Sequence, residues 1–108
     1  MQRLGLIGGT GLDHFGKAVM SHDIDTPYGQ PSAGLAEYRI GESQVFFLPR
    51  HGQCHEIPPH AVNYRANVDA FRQVKVEGII AVNAVGGISS SCHPGALSVP
   101  DQLIDYTW

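Results

Sequence analysis

A chain of 108 residues, 43% hydrophobic and 16% charged, is long enough for one domain with a real core and too apolar for a disordered tail. Seven Lys and Arg against ten Asp and Glu leave a formal charge of −3 with no basic run, which argues against a nucleic-acid or anionic-membrane surface. No stretch reaches the ~18 apolar residues of a membrane span. Arg3 followed by the short apolar run 4–7 reads as a first strand rather than a signal peptide, so a cytoplasmic setting is expected. Cys54 and Cys92 do not form a C-x-x-C spacing and are expected as free thiols.

In chain order, residues 4–7 predict a strand running into Gly8-Gly9-Thr10-Gly11. Such a turn is either a small anion nest, with inward backbone N–H groups and the Thr10 hydroxyl as a further donor, or a plain tight turn. A dinucleotide fingerprint is not met, because His14 stands where the third glycine belongs, and no P-loop lysine follows. Residues 19–24 predict a second strand, and residues 25–32, punctuated by Pro27, Gly29 and Pro31, a loop placed to cover a site. Residues 35–40 and 44–48 flank Gly41-Glu42-Ser43, a hairpin turn between antiparallel strands, so the sheet is expected to be mixed. Tyr28 and Tyr38 read as packing residues.

The run 45–48 is continuous and apolar, as in a strand covered on both faces. Pro49 is expected to stop its pairing, and Arg50-His51-Gly52 follow at the carboxyl end, where open α/β sheets place ligands. A guanidinium fork there suits phosphate or carboxylate. An oxyanion pocket is the working expectation; the alternative is a solvated Arg50 and a packed loop imidazole at His51. His51, Cys54, His55 and His60 share one loop, but Pro58 and Pro59 keep it turned, and an anion site or loop histidines fit better than a metal.

Residues 62–76 predict an amphipathic helix: Ala66, Ala70 and Val74 fall at i, i+4 and i+8 beside Phe71, with Arg65, Asp69, Arg72 and Gln73 on the other side. Asn63 and Asn67 read as capping and surface hydrogen-bonding residues, with Asn63-Tyr64 directed toward the loop of His51. Gly78 is expected to end the helix, and residues 79–82 to form a second strongly buried strand. That strand ends in Asn83-Ala84-Val85-Gly86-Gly87, whose glycines let a flat or anionic ligand approach the backbone. Residues 89–95 read as a loop and 97–104 as a last strand interrupted by Pro100. The fold class that follows is α/β, a mixed central sheet flanked by helices.

The ordered motifs Ile7-Gly8-Gly9-Thr10-Gly11-Leu12, Thr26-Pro27-Tyr28-Gly29, Arg50-His51-Gly52, Val62-Asn63-Tyr64-Arg65-Ala66-Asn67, Val82-Asn83-Ala84-Val85-Gly86-Gly87 and Gln102-Leu103-Ile104-Asp105 together resemble the methylthioadenosine phosphorylase branch of the purine nucleoside phosphorylase family. The string from Val82 and the Pro59-His60 loop are most similar to the bacterial S-methyl-5′-thioinosine phosphorylases. The resemblance runs end to end and implies that residues 1–108 are the N-terminal portion of a single nucleoside phosphorylase domain, about half of a family member.

That resemblance implies reversible phosphorolysis of a 5′-methylthio purine nucleoside to free purine and 5-methylthioribose 1-phosphate. Inorganic phosphate is the implied co-substrate, with no metal or organic cofactor, in a homotrimer with sites near subunit interfaces. Residue by residue, Thr10 matches the family's phosphate-binding hydroxyl, Arg50 and His51 its cationic phosphate ligands, and Asn83 and Ala84 the strand end facing phosphate. Asn83 stands where methylthioadenosine phosphorylases commonly carry threonine. Val85 and Gly86 match the wall beside the base. The general acid and the residues gripping the purine edge belong to the half not present, so no catalytic residue is assigned. The rival readings are a nucleoside hydrolase that uses water, for which Thr10, Arg50 and His51 would have no anion to hold, and a non-catalytic anion- or nucleotide-binding segment.

Overall fold

The computed structural model describes residues 2–12 and 16–106; His14, where the dinucleotide fingerprint fails, lies outside them. The elements are β1 (Arg3–Gly8), β2 (Met20–His22), β3 (Leu35–Ile40), β4 (Ser43–Pro49), a 3-10 turn at Pro59–Ala61, α1 (Tyr64–Gln73) and β5 (Gly78–Ala81). They build one five-stranded sheet in the order β2-β3-β4-β1-β5. β4, β1 and β5 run parallel, whereas β3 is antiparallel to both β2 and β4. The mixed sheet expected from the 41–43 turn is therefore present, with Gly41 at φ +59° in the turn.

The period of two along β4 sends Phe46 and Leu48 to one face, where they join Leu35, Ala70 and Phe71 in a core completed by Ile7, Ile24, Val74 and Val76. Val45 and Phe47 go to the other face with Tyr38, against Leu6, Leu12 and Ala36. All four residues 45–48 are buried, as a strand covered on both faces requires. The helix lies close to the sheet because β1 offers Gly5 beneath it: a Cβ there would sit 2.8 Å from the Phe71 ring.

Several boundaries differ from expectation, each for a local reason. Pairing runs one residue past Leu48: Pro49 aligns with Gly8, and the ladder tolerates a residue without N–H because Arg50 N–H donates to Gly8 O at 2.8 Å. The second strand holds only three residues, Met20–His22. The helix spans Tyr64–Gln73, capped by Asn63, whose side chain accepts from Ala66 N–H at 3.0 Å. Its end is set not by Gly78 but by Lys75, in the left-handed region at φ +59°. Lys75 N–H donates to Arg72 O and Val76 N–H to Phe71 O, the paired bonds of a Schellman motif, and Val76 packs back onto the Phe71 cluster as that motif favours.

Three burial expectations are corrected. Asp69 is buried rather than on the solvent side, because Arg72 Nε and Gln73 Nε2 both fold over its carboxylate, at 2.7 and 2.9 Å. Those two donors hold its pKa below the ordinary carboxylate range, Gln73 contributing most. Asn67 is also buried, reaching across to Ser32 with both amide atoms. β5 is exposed, Ile80 by 59%, because it pairs only with β1 at the sheet edge. Residues 97–104 form no strand; Leu97 is 98% exposed, and without a neighbouring backbone the apolar run has no ladder to join.

Candidate functional site

Parallel pairing aligns the carboxyl ends of β4, β1 and β5 along one rim of the sheet, and each end releases a polar or glycine-rich turn. After β1, Leu12 N–H donates to Gly9 O at 3.0 Å and Gly11 takes φ +85°, the third residue of a type II turn. After β4, Arg50 and His51 leave the rim, and after β5 comes Asn83. Arg50 Nη1 donates to Asn83 Oδ1 at 2.5 Å. The guanidinium lies over Gly9 so closely that a Cβ at that position would collide with Nη2 and stand 3.1 Å from Val82 O. Glycine is required at position 9 by this approach, not by its φ.

These groups open onto a hollow of about 430 Å³ lined by Arg50, His51, Pro59, Tyr64, Ala81 and Asn83. His51 is buried, 9% exposed. Its Nδ1 lies 3.0 Å from Ile57 O; since a carbonyl only accepts, Nδ1 carries the proton and Nε2 is the free nitrogen. Nε2 therefore donates to an anion only when the ring is doubly protonated. The loop is closed by Ile57 N–H to His51 O at 2.9 Å, by Cys54 N–H to Glu56 Oε2 at 2.9 Å, and by Gly52 at φ +87°.

Of the residues singled out in the sequence, the structure gathers Arg50, His51 and Asn83 at one hollow. Thr10 is exposed in the turn after Gly9, one peptide from the guanidinium but not lining the hollow. Ala84 follows Asn83 and is exposed, and Val85, 84% exposed, and Gly86 stand apart from the lining. Tyr64 faces the hollow, as the direction of Asn63-Tyr64 suggested. Pro59 and Ala81 carry no other signal in the sequence than position, at the turn before the helix and at the end of β5.

The adjacent loop is tied to the helix rather than to the hollow. Asn63 Nδ2 donates to Tyr28 O at 2.8 Å, and Thr26 Oγ1 closes the 26–29 turn on Gly29 O at 2.7 Å. A second, larger hollow of about 580 Å³ lies beyond Tyr64, lined by Tyr28, Arg65, Val68, Asp69 and Arg72 as well. Its Arg72 is already paired with Asp69, and no strand end reaches it, so the smaller hollow is the candidate site. Among the described residues no three His, Cys, Asp or Glu side chains gather as a metal-binding group, and no helix is long and apolar enough to cross a membrane. Cys54 and Cys92 are exposed free thiols.

The chain is similar to several known proteins. The chain is 48% identical over 107 residues to a probable S-methyl-5′-thioinosine phosphorylase of Xanthomonas campestris, covering 97% of this chain and 43% of the relative. It is 44% identical over 107 residues to the S-methyl-5′-thioadenosine phosphorylase of Pyrococcus furiosus, covering 99% of this chain and 42% of the relative. Among solved structures, the methylthioadenosine phosphorylase of Schistosoma mansoni in complex with tubercidin superposes with a TM-score of 0.70 at 44% identity, over 75% of this chain and 28% of that one. The chain thus spans less than half the length of the curated relatives it matches. The family model of the Phosphorylase superfamily matches residues 3–108, and with the strand order and the rim of converging turns it establishes that the chain belongs to the Phosphorylase superfamily.

Proposed function

We propose that the full-length protein catalyses phosphorolysis of a 5′-methylthio purine nucleoside, S-methyl-5′-thioinosine or 5′-methylthioadenosine, in purine and methionine salvage. Residues 1–108 are then the N-terminal portion of a single nucleoside phosphorylase domain that supplies the phosphate cradle, in a cytoplasmic homotrimer needing no metal or organic cofactor. The observation that carries this reading is the meeting of Arg50, His51 and Asn83 at one hollow above the Gly9 backbone. A permanent cation, an amide NH₂ and, when doubly protonated, the His51 ring through Nε2 are a donor set for a dianionic oxyanion.

The chemistry follows from that placement. Breaking an N-glycosidic bond develops positive charge on the sugar, so a phosphate fixed beneath it both stabilises that charge and attacks it. A phosphate oxygen bonds to C1′ as the C1′–N9 bond breaks; the bonding electrons leave with the purine, which takes up a proton. Arg50 holds the anion with a planar fork, while Asn83 Oδ1 accepts from Nη1 and leaves its own NH₂ to donate. Thr10 and the turn amides beside it add neutral donors, Ala84 lies at the strand end facing phosphate, and Val85 and Gly86 form the wall beside the base.

The test is turnover of methylthioinosine, methylthioadenosine and inosine by the full-length protein with and without inorganic phosphate. Release of purine that depends on phosphate and yields the sugar 1-phosphate is expected. Equal release in phosphate-free buffer would assign a hydrolase, and saturable phosphate binding without turnover a non-catalytic module.

A further inference from the structure

His55 lies one turn of chain beyond His51 and is not in the lining of the hollow, yet its backbone takes φ +55°, a conformation uncommon for residues with a Cβ. That outlier is held in place. His55 N–H donates to Gly52 O at 3.2 Å, and the Glu56 carboxylate accepts from Cys54 N–H while packing on Gly52 so tightly that a Cβ there would sit 2.5 Å from Oε1. The result is an imidazole laid against His51, ring centroids 4.9 Å apart and planes inclined by 51°.

We propose that His55 is a positioning residue: its ring backs the His51 imidazole so that the Ile57 carbonyl keeps the proton on Nδ1 and Nε2 is aimed into the hollow. Strained backbone beside a ligand site persists where the surrounding structure specifies it, and a ring nitrogen's role is set by the bond that the other nitrogen makes. One hydrogen bond from Nδ1 leaves the His51 ring free to rock about that bond; an aromatic face against it removes the freedom. Among the described residues, Arg50 and Tyr64 line the same hollow as His51, and His55 and Glu56 share its loop.

The inference rests on the phosphate reading of the hollow, and its test separates the two. His55→Gly removes the ring and the unfavourable backbone together, so the variant is expected to fold at least as well as the wild type. In the full-length protein it should raise the phosphate KM about tenfold with kcat at saturating phosphate within about twofold. His55→Phe, which keeps a ring against His51, should restore the phosphate KM. Nitrogen-15 NMR of the His51 ring should show the Nδ1–H tautomer in the wild type and a mixture in His55→Gly. An unchanged phosphate KM in a folded His55→Gly protein overturns the positioning role and leaves phosphorolysis intact. Wild-type turnover that ignores phosphate overturns both.

Discussion

Gly9→Ala tests the site without touching any of its polar groups. The added methyl would occupy the space of Arg50 Nη2, stand 3.0 Å from Cζ and lie 3.1 Å from Val82 O. Of these neighbours only the guanidinium is the end of a flexible side chain, so it is the group that moves. Swinging out, it gives up the bond to Asn83 and its aim into the hollow, while folding stability falls by only about 1 kcal/mol. A hydrogen bond to a charged group contributes roughly 1.5–3 kcal/mol, and about 1.4 kcal/mol is tenfold in an equilibrium constant. The phosphate KM is therefore expected to rise roughly 10- to 150-fold, read from steady-state phosphorolysis at saturating nucleoside with the urea midpoint followed alongside. Arg50→Ala should cost a similar amount, and the double variant no more than Arg50→Ala alone, because one interaction is removed twice. A folded Gly9→Ala protein with a wild-type phosphate KM, or strictly additive effects in the double variant, would refute the placement of the guanidinium in the phosphate site.

Lys75→Gly should raise stability by about 0.5–1 kcal/mol in denaturant unfolding, since glycine takes the left-handed C′ position without a Cβ penalty; a loss of stability would mean that the Lys75 side chain contributes more than its backbone costs. Asn63→Ala should lose about 1 kcal/mol through the missing helix cap and should free the 26–29 turn, seen as faster proteolysis at Tyr28. Glu37 accepts from His22 Nε2 at 2.8 Å and from Gln44 Nε2 at 2.7 Å, and these donors, His22 foremost, lower its pKa. Its folded pKa is below its unfolded one, so the unfolded chain binds more protons as pH falls. The contribution is complete above the usual glutamate value of about 4.3 and is lost as pH drops through the lowered one. Glu37→Gln should thus flatten the acid limb of a stability-versus-pH curve below that value; an unaltered limb would exclude the His22–Glu37 pair as its source.

The local pattern was a good guide wherever one segment carries its own signal. Residues 35–40 read as a strand from composition and turn signals and form β3 with those same limits; Asn63 was assigned as a cap and is one. Arg50 and His51 were singled out because a buried run broken by proline delivers charge to a strand end, a relation visible in seven consecutive residues. Helical periodicity puts Asp69 on the solvent side, but a period does not contain the folding of Arg72 and Gln73 over its carboxylate. Glycine at position 78 predicts the helix stop there, whereas the Schellman bonds fall at Lys75, where Val76 can pack on Phe71.

By itself, then, the sequence determined β1, β3, β4 and β5, the presence of the helix, the mixed sheet and the family resemblance, since alternation, helical period and turn chemistry act between residues a few positions apart; it did not exclude the strand expected at 97–104. Only tertiary structure decided which strand ends share a rim, that Gly9 serves the Arg50 guanidinium and that His51 presents Nε2. It also decided that β5 stays exposed while β4 is covered. These depend on what lies beside each element in space, and hydrogen bonds and burial are properties of neighbours that one segment's pattern does not contain.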